Sequence, residues 1–152
     1  MQVNVLPTET QALLGATHEA IITYEDLTAA ATTQILTGIN IPVGSWVKGG
    51  PHILEQDFDS PASSSLTYSA GDGSDADLFM TATEIDVAAT EVDYKAPTPG
   101  SGAPAVGTGK AYVGPSTDTL DIAFTSTGDN LSDFTQGKIR YFFSLVDLDT
   151  LK

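Results

Sequence analysis

Apolar and polar residues alternate along much of the chain, which is the pattern of half-buried β-strands. The pattern is clearest in the last third, where bulky residues recur at every second position: Leu120, Ile122, Phe124, then Ile139, Tyr141, Phe143 and Leu145. The second of these two runs is rich in large apolar groups, so it predicts a central strand around which the others pack. The connection 127–137 is too long for a two-residue hairpin, so it either bulges from the sheet or carries the chain to a second sheet.

Shorter alternating runs precede this region and are separated by turn-forming sequences. They begin near Ala20, Thr33, His52, Leu66, Phe79 and Ala111. Lys48-Gly49-Gly50-Pro51 predicts a turn or bulge, because glycine adopts positive φ and proline cannot donate to a ladder. Eight or nine strands with irregular connections and no clear helix predict an all-β protein, a β-sandwich for which the jelly-roll type is favoured.

A length of 152 residues corresponds to one domain. Residues 1–17 show no sustained periodicity and predict an irregular N-terminal arm, which leaves 18–152 as a single β-sandwich domain. Within it, residues 95–109 are dense in proline and glycine and predict a long loop.

The strong negative net charge argues against two classes of partner, nucleic acids and anionic membranes. Six Lys and Arg stand against twenty Asp and Glu, a formal net charge of −14, so the surface repels nucleic acid and anionic lipid. The chain has no cysteine, and it shows neither a secretion leader nor a run long enough to span a membrane. We therefore expect a protein that is made and folded in a cytosol, with no nucleic-acid or membrane partner.

The turn 71–77, GDGSDAD, is the one candidate metal site. Asp72, Asp75 and Asp77 offer hard oxygen ligands for calcium, but their spacing differs from that of an EF-hand. Asp and Gly are also the residues that tight turns select, and this structural interpretation is favoured.

No catalytic motif is recognisable. The chain has two histidines, His18 and His52, and it has neither a nucleophile elbow nor a carboxylate pair in a catalytic setting. We predict that the protein is not an enzyme and needs no cofactor. A sugar-binding face built from Trp46, Tyr68, Tyr112 and Tyr141 is the alternative, although aromatic residues at period two in strands more often belong to the core.

The face of the last strand opposite the core gives candidates for an interface: Lys138, Arg140, Phe142, Val146 and Leu148. Basic and apolar residues share this face in a protein that is otherwise acidic, and an exposed apolar patch usually marks a contact surface. The alternative is a strand buried on both faces within the subunit.

Two stretches resemble small virion proteins of tailed bacteriophages. They are SLTYSAGDGSDADLFMTATEIDV (65–87) and LDIAFTSTGDNLSDFTQGKIRYFFSLVDL (120–148), and the segments 20–34 and 57–66 are similar to earlier strands of that group. The resemblance implies a β-sandwich that decorates the outer capsid surface, with the major capsid protein as partner. A neck or tail component is the variant it leaves open.

On such a shell we expect a homotrimer or three-fold clustering. Capsid sites commonly have three-fold or quasi-three-fold symmetry, and attachment at several points gains about 10²–10⁴ in avidity. The arm 1–17 is expected to supply a second attachment by ordering against a neighbouring subunit or the coat.

Overall fold

The computed structural model describes residues 1–85, 93–95, 110–112 and 117–151; of residues 93–95, 110–112, 150 and 151 only the backbone is described. These segments contain ten strands, one α-helix and three short 3-10 helices. The strands and the helix are β1 (Gln2–Val5), α1 (Thr8–Leu14), β2 (His18–Thr23), β3 (Thr33–Ile41), β4 (Ser45–Asp59), β5 (Ser65–Asp72), β6 (Asp75–Ile85), β7 (Asp93–Lys95), β8 (Lys110–Tyr112), β9 (Asp118–Thr127) and β10 (Gln136–Asp147). The 3-10 helices are Tyr24–Asp26, Leu131–Asp133 and Leu148–Leu151.

Two antiparallel sheets face each other across one core, so the predicted all-β sandwich is confirmed. The larger sheet has the order β1-β2-β10-β4-β7, and β8 also pairs with β4. The smaller sheet has the order β3-β9-β5-β6. The pairs are nested along the chain: β5 with β6, β4 with β7 and β8, β3 with β9, and β2 with β10.

The core lies between the sheets and is dominated by aromatic and branched aliphatic side chains. Its largest fully buried members include Tyr68, Tyr141, Phe58, Phe124 and Phe143. Their rings contact one another, with Tyr68 stacked on Phe124 at 5.8 Å and Tyr141 stacked on Phe143 at 6.1 Å. Interlocking rings of this kind bury large areas and fix how the sheets pack.

Strand β10 is central, as its pattern predicts. It lies between β2 and β4, and Ile139, Tyr141 and Phe143 are fully buried on its inner face. At the start of this strand Gly137 has φ 138°, and a Cβ there would collide with the Phe58 ring. Glycine is therefore required both for the backbone conformation and for the close approach of Phe58.

The predicted turn or bulge at 48–51 is a bulge inside one long strand. β4 continues from Ser45 to Asp59, and its register against β10 shifts between the pairs Tyr141–His52 and Phe143–Gly49. A Cβ at Gly49 would lie 2.9 Å from the carbonyl oxygen of Phe79 in the facing sheet. The glycine thus allows the two sheets to approach at this point.

The N-terminal segment is not the irregular arm that the sequence predicts. Residues 2–5 form β1, which pairs with β2 at the edge of the larger sheet, and α1 follows. The helix ends at Gly15, which has φ 63°, a left-handed conformation typical of helix C-termini. Seven residues without a strong apolar period give too little signal for sequence analysis to identify this helix.

The connection 128–135 carries the chain from β9 in the smaller sheet to β10 in the larger, which is the second of the two predicted possibilities. The 3-10 helix Leu131–Asp133 within it is anchored by the buried Leu131 side chain. The predicted loop 95–109 lies outside the described residues except for the backbone of Lys95.

Candidate functional site

A charged cluster occupies the outer face of the larger sheet where β2, β10 and β4 lie side by side. Lys138 Nζ lies 2.7 Å from Glu55, and Arg140 donates through Nε to Glu19 at 2.8 Å and through its terminal nitrogen to Glu55 at 3.3 Å. Asn4 adds a hydrogen bond to Glu19 at 3.0 Å. The Lys138 hydrogen bond holds the pKa of Glu55 below its usual range, and the charge of Arg140 contributes.

Lys138 and Arg140 therefore lie on the outer face of β10, as predicted, but their positive charges are paired with Glu19 and Glu55 of the same chain. The Arg140–Glu19 pair is the more enclosed, with side chains 31% and 9% exposed, whereas Lys138 and Glu55 are 40% and 30% exposed and form a surface pair that contributes little to stability.

Phe142 is covered by the N-terminal segment and is 1% exposed. It forms a second apolar cluster, separate from the main core, with Leu6, Ala16, Leu14 and Ile53. The Arg140 guanidinium lies over the ring at 5.4 Å from its centroid, within the range of a cation–π contact. The prediction that Phe142 is an exposed interface residue is wrong, and the alternative of coverage within the subunit is confirmed at this position.

Of the last two interface candidates, Val146 still lies on β10 and Leu148 does not. Val146 is half-buried and pairs with Trp46 on β4. Leu148 lies beyond the end of β10 in a 3-10 helix, where its backbone N–H donates to the Gly44 carbonyl at 2.8 Å. Alternation cannot be extended past Asp147 because the backbone ceases to be extended there.

The turn between β5 and β6 is built around a buried aspartate. Asp72 is 2% exposed, and its Oδ1 accepts hydrogen bonds from the backbone N–H groups of Ser74 and Asp75, each at 3.0 Å, and from the Ser74 hydroxyl at 2.7 Å. These bonds confirm the turn interpretation. Across the part of the chain that the structure describes, no group of three or more His, Cys, Asp or Glu is arranged to hold a metal ion, Asp72, Asp75 and Asp77 included.

Sequence analysis missed another buried carboxylate, Asp121 on β9. It is 7% exposed, and its Oδ1 has no hydrogen-bond partner among the described residues. Burial raises the pKa of Asp121, and the nearby charges of Asp118 and Asp72 add to the shift. In the sequence this residue occupies a polar position of an alternating strand, and such positions normally face water.

The aromatic residues proposed for sugar binding are largely core residues. Tyr68 and Tyr141 are 1% and 0% exposed, and His52 packs edge-on against Tyr68 at 5.3 Å. The core alternative is confirmed for both tyrosines. Trp46 is half-buried on β4, and the side chain of Tyr112 lies outside the described residues.

The large hydrophobic side chains that are exposed among the described residues all lie within the first 43 positions. The five large hydrophobic residues in this class are Leu13 at 86%, Val5 at 69%, Ile35 at 57%, Val43 at 41% and Val3 at 38%. Three of them belong to β1 and α1, while Ile35 lies on β3 and Val43 in the turn that follows. They lie on more than one surface of the molecule, and each of these surfaces is a candidate for contact with a partner.

Fold and surface together define an acidic all-β sandwich whose candidate sites are contact surfaces. None of the helices that the structure describes has the length and hydropathy of a membrane span. No protein-family model, curated protein or solved structure matches the chain.

Proposed function

We propose that the protein is a decoration protein of a bacteriophage capsid, a jelly-roll sandwich that binds the outer surface of the assembled head and stabilises it. The observation that carries the proposal is the nested strand pairing, in which β2, β3, β4 and β5 each pair with a later strand in reverse order. Two sheets wound in this way are typical of the jelly roll, an architecture used by viral capsid domains.

The two stretches that resemble phage virion proteins support the proposal because they are neighbours in space. Residues 65–87 include β5 and β6, and residues 120–148 include β9 and β10. Three of these strands, β9, β5 and β6, are adjacent in the smaller sheet, and β10 is central in the larger. The resemblance therefore follows one continuous part of the fold.

The outer side of the N-terminal segment is the surface we assign to the coat. Leu13 is 86% exposed there, on a helix whose inner side is held by Leu14 and by the flanking Leu6 and Ala16. Val3 and Val5 are exposed on the opposite face of β1, on the same side as Ala20 and His18 of β2. An apolar contact suits a strongly acidic protein, because burial of uncharged surface does not require a cationic partner. Binding that is specific to the assembled shell stabilises it by mass action, without any chemistry.

The first test is the copy number of the protein in purified particles, measured by quantitative mass spectrometry and located by cryo-electron microscopy. A decoration protein should be present in numbers comparable to the coat protein and should lie on the outer surface of the head, with three-fold clustering. A few copies per particle would instead indicate a neck or tail component and would refute the decoration role.

A matched pair of variants tests the coat contact. Leu13→Asp alters the most exposed apolar residue of the N-terminal segment, whereas Val43→Asp makes the same kind of change in the turn after β3. Both side chains are exposed, so both variants should fold. We expect Leu13→Asp to bind empty shells at least about tenfold more weakly, a loss of about 1.4 kcal/mol, and Val43→Asp to bind as the natural chain does. Equal binding by both variants would refute the assigned surface.

A further inference from the structure

Strand β3 forms an open edge of the smaller sheet. It pairs with β9 on one side, and among the strands that the structure describes none pairs with its other side. An open edge presents unpaired N–H and C=O groups that can accept another strand, and proteins usually protect such edges with charged residues, proline or very short strands. β3 spans nine residues, TQILTGINI, and contains neither charge nor proline.

The uncharged region extends beyond the strand itself. Residues 27–47 contain no Asp, Glu, Lys or Arg, in a chain with a formal net charge of −14. Two copies repel each other over most of their surfaces, because like charges in contact are unfavourable. Along β3 itself two copies can meet without like charges facing each other, and the nearest carboxylate on the neighbouring strand is that of Asp121, which lies beside Thr37.

The first half of β3 is also self-complementary. Thr33, Ile35 and Thr37 are exposed on the outer face, and their register with β9 is uninterrupted. Antiparallel pairing of two such strands about Ile35 would place Ile35 opposite its equivalent and Thr33 opposite Thr37. β-branched residues are favourable partners at directly opposed positions.

We infer that two copies of the chain associate through the β3 edges, as an antiparallel pair related by a two-fold axis at Ile35. The two smaller sheets then form one continuous sheet across the dimer. A two-fold contact uses the same surface on both copies, so it closes and does not grow into a filament.

The contact is limited to five residues on each copy. At Gly38 the ladder between β3 and β9 is interrupted, and the Met1 side chain lies 3.5 Å from the position that a Cβ would take. A short edge pairing buries little area, which places this dimer among transient contacts. The inference concerns the purified chain alone and does not depend on the proposed function.

The mass in solution tests the inference. Analytical ultracentrifugation over a range of protein concentrations should show reversible association to twice the chain mass of 15.8 kDa. Between about 0.01 M and 1 M ionic strength the screening length falls from about 30 Å to about 3 Å. Association should therefore strengthen with salt, because screening reduces the repulsion between acidic copies and no ion pair holds the contact.

Substitutions locate the contact. Ile35→Asp introduces two opposed carboxylates at the axis and should shift association at least about tenfold towards the monomer. The monomer should melt at a slightly lower temperature, because Asp is disfavoured in strands, and should remain folded, because Ile35 is 57% exposed. Val43→Asp adds the same charge outside the pairing and should leave a dimer. A monomer at every concentration, a trimer, or a dimer unaffected by Ile35→Asp would each overturn the inference.

Cross-linking gives an independent readout, because the natural chain has no cysteine. Directly opposed residues of paired strands have Cβ atoms about 4.5–5.5 Å apart, close to the separation of about 3.5–4.5 Å in a disulfide. Ile35→Cys should form a covalent dimer under mild oxidation, and the exposed control Leu13→Cys should react far more slowly. Equal rates for the two variants would also overturn the inference.

Discussion

Phe142 and Phe143 are neighbours on β10, and both are buried, yet they belong to different apolar clusters. Phe143 lies in the main core between the sheets, whereas Phe142 lies under the N-terminal segment. The same substitution at the two positions therefore measures how much each cluster contributes to the free energy of unfolding. Alanine is introduced into the same strand in both variants, so differences in local strand propensity are small.

The expected magnitudes follow from what surrounds each ring. Phe143 is fully enclosed by rigid strands, so Phe143→Ala should lower the free energy of unfolding by about 3–5 kcal/mol. Phe142 is covered by one short helix and an edge strand that can shift to fill the space. Phe142→Ala should therefore lower the free energy of unfolding by about 1.5–3 kcal/mol, which is close to the free energy gained by burying a Phe side chain.

Deletion of residues 1–17 provides the decisive comparison. None of the fully buried members of the main core comes from this segment, and Met1 alone packs against it as a partly buried side chain, so the shortened chain should still fold, with reduced stability. Phe142 is then exposed, and Phe142→Ala in the shortened chain should change the free energy of unfolding by less than about 0.5 kcal/mol. Phe143→Ala should remain as costly as in the full chain.

Urea denaturation measures these free energies for the full chain, for the shortened chain, and for Phe142→Ala and Phe143→Ala in each of them. Hydrogen exchange on the full chain measures where stability is lost. In Phe142→Ala the amides of β1 and α1 should lose protection, while those of β10 remain protected. A cost for Phe142→Ala that is the same in both backgrounds would refute the assignment of Phe142 to the N-terminal segment.

Three further predictions concern single positions. Gly137→Ala should destabilise by about 3 kcal/mol in urea denaturation, because the positive φ of Gly137 and the Phe58 ring both exclude a side chain; an unchanged midpoint would contradict this. Tyr68→Phe should raise the free energy of unfolding by about 1 kcal/mol, since the buried hydroxyl has no partner among the described residues; a loss of stability would reveal a hydrogen bond. Asp121→Asn should raise the melting temperature at pH 7. The folded state raises the pKa of Asp121, so ionisation costs stability above that pKa, and the advantage of the substituted amide over the carboxylate should vanish below about pH 3.9; a gain independent of pH would contradict the charge argument.

The sandwich could be predicted from the sequence because alternation is a local signal. Ile139, Tyr141 and Phe143 point to one side of β10 whatever surrounds the strand, and a strand with three such residues requires a facing layer. The same signal places Leu54 and Phe58 on the inner face of β4. Each of these inferences needs only neighbouring residues in the chain.

The burial of the outer face of β10 could not be predicted in this way, because the residues that pack against it are distant in sequence. Phe142 is buried by Leu6 and Ala16, which lie more than one hundred residues earlier, and neither strand periodicity nor composition indicates that pairing. Asp121 is a similar case. Its neighbour Asp72 comes close only because β5 and β9 are adjacent in the sheet, whereas Asp118 precedes it on β9 itself.

The docked N-terminal segment changes how attachment to a shell should work. A disordered arm that folds on binding loses conformational freedom at that moment, at about 1–2 kcal/mol for each backbone residue that it orders. Here β1 and α1 are already held by Leu6, Ala16 and the β1–β2 ladder, while Leu13 remains exposed on the outer side of α1. A coat protein that binds this outer side meets a preorganised surface, so little of the binding energy is spent on ordering the segment. Hydrogen exchange distinguishes the two mechanisms: amides of β1 should be protected in the free chain and change little on the shell, whereas amides that gain protection only on the shell would indicate folding on binding.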